Sequence, residues 1–275
     1  MSMKGSLPFN PIVWPAVPHD YTGDTNLGYY TVETTQRYVW GTRGITWDGK
    51  VFKYARSKDT TLYSGYGARN GAEADVSDLI NSNTTIAIVA GDTSTTVTLA
   101  STEGYDSAGG LAEDELAGAQ LTIGHGSAGT AETRTVTSNT LLAAGGGTTI
   151  VTVDAPWAYA HAAGFMEMPM NPYGYLIRES EVSSVMGVPC RSTDTSGYHL
   201  WIQTWGMCWV VPGGVDSTPG NSADDRSVYF VGDGSVNGGT VIDAAARGHQ
   251  LAGFIVDATE VGTGTMPTVM LQISI

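Results

Sequence analysis

Residues 198–211 read YHLWIQTWGMCWVV, the most distinctive stretch of the chain. A strand sends alternate side chains to opposite faces, yet Trp201, Gln203, Trp205, Cys208 and Val210 do not keep one parity across Gly206. That change predicts a β-bulge near the glycine. The run reads as the heart of a β core rather than an exposed aromatic platform for sugar or peptide. Segments of the same kind surround it. YGYLIR (173–178), SVYFV (227–231), HQLAGFIVD (249–257) and TVMLQISI (268–275) are strand-like and bounded by Gly, Pro or Asp, at the spacing of a sandwich or barrel. The last, left as a free edge, would be an aggregation site, so it is expected to pair inside the sheet.

Upstream, QRYVW (36–40) and KVFKYAR (50–56) are two further strand-like stretches joined by the turn-rich GTRGITWDG. Asp48-Gly49 suits the positive dihedrals of a tight turn, and the alternation after it places Phe52 and Tyr54 on one face, Val51, Lys53 and Ala55 on the other. Composition changes near residue 82. From there to Pro156 the chain is Thr/Val/Ile runs separated by Gly, Ser and Asn, with Arg134 against eight acidic residues, a net of −7. Only AGGLAEDELAGA (108–119) breaks the pattern, as a helical turn or polar loop; NGAEADVSDLIN (70–81) reads as a short helix or turn and DAAARGH (243–249) as a helical fragment. The predicted fold class is mainly β: a β-sandwich or barrel core with an inserted small β domain and an extended N-terminal arm. The arm is placed at 1–35, the core at 36–81 and 158–275, and the acidic inserted domain at 82–157. The arm carries Pro8, Pro11, Pro15 and Pro18 among Phe9, Trp14, Tyr21, Tyr29 and Tyr30. Two readings of it stand: it lies along another surface with aromatic anchors, or it wraps its own domain.

The whole chain has 275 residues, 41% hydrophobic and 15% charged, with 36 Gly and a net charge of −14. The negative charge argues against a nucleic-acid partner. No apolar run reaches the roughly eighteen residues of a membrane span, and the early prolines interrupt any signal-peptide core, so a cytoplasmic site of synthesis is expected. Cys190 and Cys208 make neither a disulfide framework nor a metal-ligand spacing and read as buried small apolar residues.

Motifs for chemistry are weak. GHGSAG (124–129) matches a dinucleotide fingerprint literally, but strand-like TAETRTVTSN follows where a helix is needed, so it reads as a turn. His19, His125, His161, His199 and His249 show no ligand spacing. Acid pairs such as Asp114 and Glu115 are expected by chance at this charge and sit among no aromatics. VGDGSVNGGTVID (231–243) has a calcium-loop flavour but lacks the EF-hand Glu and reads as a turn pair. No enzyme activity, metal or cofactor is expected.

The order QRYVWG, DGKVFKYARS, a Thr/Gly-rich insertion closing on IVTVDAPW, then NPYGY, GYHLWIQTWGMC and GFIVDA, over residues 36–275, resembles capsid-associated structural proteins of tailed bacteriophages, the head decoration or cement proteins encoded beside the major capsid protein. The resemblance implies a β-rich homotrimer on the outer face of an assembled head, with the major capsid protein as partner and a virion location after synthesis in the host cytoplasm. The residues add an asymmetry: positions 37–69 hold seven of the 13 positive charges against Asp48 and Asp59. A basic patch on an acidic protein orients it towards an acidic surface. The expected capsid interface is therefore Phe9, Trp14, Tyr21, Arg37, Arg43, Lys50, Lys53, Arg56 and Lys58, the plainer reading being cations that solvate a hairpin. A head-fibre or receptor-binding virion protein that takes a host-surface glycan is the runner-up, and a glycan-degrading enzyme the third.

Overall fold

The computed structural model describes residues 12–13, 28–46, 48–58, 61–71, 79–84, 87–100, 110–124, 131–178, 183–213, 226–238, 249–257 and 267–273. The fold is mainly β, of barrel and sandwich character. Contacts gather Asp75–Asn171 into one compact unit and Ile12–Ala74 with Pro172–Ile275 into another.

The larger unit holds β1 (Ile12–Val13), β2 (Val32–Glu33), β3 (Arg43–Ile45), β4 (Val51–Arg56) and β5 (Ala68–Asn70). After the inserted unit it continues with β12 (Leu176–Ile177), β13 (Val185–Pro189), β14 (His199–Trp209), β15 (Ser227–Phe230), β16 (Val236–Gly238), β17 (Leu251–Asp257) and β18 (Thr268–Gln272). Its main sheet runs β1-β3-β4-β14-β18-β17-β15-β16, with β2 and β13 also on β14 and with β5 joining β12 to β13. The stretch quoted first is thus the central strand. Against β4 its register shifts between Gln203 and Trp205, and Gly206 adopts a φ of +94°, a conformation that favours glycine. Gln203 covers the irregularity: its Nε2 donates to the carbonyls of Trp205 and Met207 at 3.1 and 3.0 Å. β18 lies between β14 and β17, paired on both sides.

The Asp48-Gly49 hairpin forms, but with a different partner strand. β4 pairs with β3, Arg43 opposite Lys53 and Ile45 opposite Val51, and Gly49 takes the expected positive φ of +83°. QRYVW is not a strand: Thr42 N–H turns back to the Val39 carbonyl at 3.0 Å, so Tyr38 and Trp40 cross the sheet face and β3 takes the place beside β4. Residues 28–35, assigned from sequence to the arm, belong to the folded unit, since Tyr29 is buried and β2 pairs with β14. β1 runs parallel to β3. The VGDGS turn joins β15 to β16, closed by Asp233, which accepts from the N–H and Oγ of Ser235 at 2.9 and 2.6 Å.

The inserted unit is a closed antiparallel barrel of β6 (Leu79–Thr84), β7 (Ser94–Leu99), β8 (Gln120–Ile123), β9 (Glu132–Asn139), β10 (Gly147–Val153) and β11 (Phe165–Pro169), in the ring order β10-β7-β6-β11-β8-β9. Period-2 patterning builds it. Val97, Leu99, Leu121, Ile123, Val136, Val151, Val153, Met166 and Met168 are buried, whereas Ser94, Gln120 and Thr148 face solvent. The unit is wider than 82–157 because β6 and β11 pair with each other, from Phe165 opposite Asn83 to Pro169 opposite Leu79. Of 70–81, residues 79–81 are therefore strand, and 72–78 lie outside the described residues, as do 243–248 of the helical fragment. AGGLAEDELAGA is a polar loop of turns over 110–119, with Asp114 at a φ of +65°.

Candidate functional site

β4 sends its two cations to opposite faces, Lys53 from an odd position and Arg56 from an even one. Its even positions carry an aromatic cluster. Phe52 stacks on Tyr29 with centroids 4.1 Å apart, and Tyr54 meets both Tyr38 and Trp201 edge-on at 5.2 Å. His199 stacks on Tyr54 at 5.8 Å and accepts the Trp40 indole N–H through Nδ1 at 3.2 Å. Register puts His199 opposite Arg56 on β4 and Glu33 on β2. Burial, assisted by the Arg56 charge, lowers its pKa to about 4, so the ring is a neutral acceptor near neutral pH. On the opposite face Ala55, Leu200 and Ile202 pack with Leu62, Ala68 and Leu176.

The predicted interface residues scatter over this frame. Arg56 lies over the Trp40 ring at 5.6 Å. Arg37 is held by Glu33 at 2.6 Å, and Lys50 sits 3.4 Å from Asp48. Lys58 lies 3.7 Å over Tyr175. The register brings two of them together: Arg43 and Lys53 are direct cross-strand neighbours. Lys53 donates to the Gly41 carbonyl at 3.2 Å and lies 5.7 Å over Tyr173. Burial, and then Arg43, lower its pKa. Arg43 Nε is buried with no hydrogen-bond partner among the described residues. Phe9, Trp14 and Tyr21 lie outside the described residues.

A second surface was not anticipated from the sequence. Pairing sets Met207 opposite Met270 and Met270 opposite Phe254, forming a row across β14, β18 and β17. Met207 is 51% exposed, Trp209 44%, Phe254 42% and Val256 44%. The other side of these strands packs inward, with Val269, Leu271, Ile255 and Ala252 joined to Val228, Phe230 and Val236. Alternation explains both faces apart from Ala252–Gly253, where the register against β15 shifts; sequence alone does not say that the second is open, because the strands read as continuously apolar. Trp209 lies over Gly65, where an added Cβ would come within 2.3 Å of the indole.

In the barrel, Glu132 and His161 form a buried polar cluster that residue spacing did not reveal. Glu132 accepts the N–H of Ala158 at 2.9 Å and of Tyr159 at 2.8 Å, meets the His161 ring at 3.2 Å and pairs with Arg134 at 2.6 Å. Burial alone pushes this carboxyl up, but the four partners hold it below the usual carboxylate range. The cluster is satisfied by its own loop and acts as a latch for residues 157–161. Residues 75–171 hold eleven acidic residues against Arg134, a net of −10, so most of the chain's charge of −14 belongs to this unit.

Compared with protein-family models, with curated proteins and with solved structures, the chain matches none.

Proposed function

We propose that this chain is a virion structural protein that binds the outer surface of an icosahedral capsid and stabilises it as a decoration or cement protein. It acts as a homotrimer, and its partner is the major capsid protein. The observation that carries this reading is the Arg43–Lys53 pair in a chain of net charge −14. Like charges directly opposite each other on neighbouring strands are destabilising, and a carboxylate from a partner relieves them. The open strip of Met207, Trp209, Phe254 and Val256 supports it, because exposed contiguous apolar side chains mark protein contacts. The barrel, at −10, is repelled by the acidic surface that attracts Arg43 and Lys53.

The mechanism is passive. A protein that binds the assembled, expanded lattice and not its dissociated subunits shifts the equilibrium towards the shell, and many copies joined to one shell add their contributions. The test is cosedimentation of the purified chain with expanded heads of the major capsid protein encoded beside it. Arg43→Glu with Lys53→Glu should lower occupancy and flatten its dependence on salt. Occupancy equal to that of the unmodified chain would overturn the docking site.

Trp209, open on its outer side, favours the second reading, a head-fibre or receptor-binding virion protein with a host glycan on that ring. Glycan-array binding lost in Trp209→Ala would select it.

A further inference from the structure

The chain's two cysteines, eighteen positions apart, arrive at one place from different directions. Cys190 follows β13, its N–H donating to the Trp201 carbonyl at 3.3 Å. Cys208 lies in β14 beyond the bulge, with its thiol 3.3 Å from the Trp209 carbonyl. Both line a single cavity of about 110 Å³ together with Tyr30, Lys50, Val188 and Trp209. Both are unbonded to each other and only partly buried. The register shift at Gln203–Trp205 and the positive φ of Gly206 lie in β14 between its pairing with β13 and Cys208.

Two free thiols on one cavity suit a soft metal ion, which displaces thiol protons and binds the thiolates.

We propose that the cavity is a binding site for one monovalent soft metal ion, of the class of Cu(I) and Ag(I), held between Cys190 Sγ and Cys208 Sγ. Binding forms two metal–sulfur bonds and releases two protons, with no change of oxidation state. Two thiolates and a monovalent ion carry a net charge of −1, and Lys50 places a cation in the same cavity, although it also sits 3.4 Å from Asp48. An ion that requires three or four donors is not served, since among the described residues no three His, Cys, Asp or Glu side chains group together.

The experiment titrates the full, reduced chain with Cu(I) against the chelator bicinchoninate without oxygen, and counts thiols by N-ethylmaleimide labelling and mass spectrometry. The expected result is one Cu(I) per chain, with binding that strengthens as pH rises and one equivalent protecting both cysteines from labelling. Binding is lost in Cys190→Ser and in Cys208→Ser, and it weakens at unchanged stoichiometry in Lys50→Gln. Failure to withdraw Cu(I) from the chelator, or two independent equivalents each lost with one cysteine, would overturn the site. If a serine variant does not fold, labelling of the unmodified chain decides: protection of one cysteine or neither refutes the proposal.

Discussion

Acid should destabilise the larger unit through one imidazole. His199 is 6% exposed, stacked on Tyr54, bonded to Trp40 and flanked across the sheet by Arg56 and Glu33. Burial, and then Arg56, bring its pKa from 6.5 to about 4. Between those values the unfolded chain binds a proton that the folded chain refuses, so stability falls as pH falls through that window. With 1.36 kcal/mol per pKa unit, the loss between pH 7.5 and pH 4.5 is about 2.5 kcal/mol for this group. Glu33 acts in the opposite direction, because burial raises its pKa against the pull of Arg37, but it is common to both chains in the comparison that follows. The assay is urea unfolding at both pH values, followed by tryptophan emission, in the unmodified chain and in His199→Gln. Among the described tryptophans Trp157 alone lies in the barrel unit, while Trp40, Trp201, Trp205 and Trp209 report the larger one. The unmodified chain should lose about 2.5 kcal/mol more than the variant over this range. Equal losses would refute the argument that His199 is buried as a neutral acceptor.

Three further outcomes are expected. Glu132→Gln should destabilise the barrel by about 2 kcal/mol, since charged hydrogen bonds to Ala158, Tyr159 and Arg134 are weakened; the Glu132 contribution is complete above the ordinary carboxylate pKa and fades as pH falls below it, which thermal melts from pH 7 to pH 3 would track. Gly253→Ala should cost about 3 kcal/mol or more, because Gly253 has a φ of +149° and an added Cβ would lie 1.9 Å from the Met270 carbonyl oxygen; a melting temperature equal to that of the unmodified chain would contradict the β17 geometry. Phe254→Thr with Val256→Thr should leave stability within about 0.5 kcal/mol while lowering self-association in sedimentation velocity, and unchanged association would remove the apolar strip from the proposed contact between copies.

The β class and the central strand were legible in residues 198–211 because a parity break at a glycine has one common physical solution, a bulge. The Asp48-Gly49 turn was legible for the same local reason. The partner of β4 was not: Tyr38 and Trp40 have strand-forming side chains, and what removes them from the sheet is the aromatic face of Phe52, Tyr54 and Trp201, assembled from positions well over a hundred residues apart. The same limit governs the site. Charge density along 37–69 marked a basic region, but alternation along β4 and its flanking turns divides those cations, and only cross-strand register reveals Arg43 beside Lys53. The insertion was visible as a change of composition, whereas its ends were set by β6 pairing with β11, a contact that composition does not encode. That Cys190 and Cys208 line one cavity depends on β13 pairing with β14, Val188 opposite Gln203, which no spacing rule contains.

Electron cryo-microscopy of phage particles assembled in the presence of this chain tests the proposed capsid role most directly. Averaged maps at the resolution of strands should contain threefold-arranged density outside the shell, fitted by the sheet that carries β3 and β4, with Arg43 and Lys53 against acidic capsid residues. Mature particles that lack the chain altogether, or that hold it inside the shell, would contradict the account.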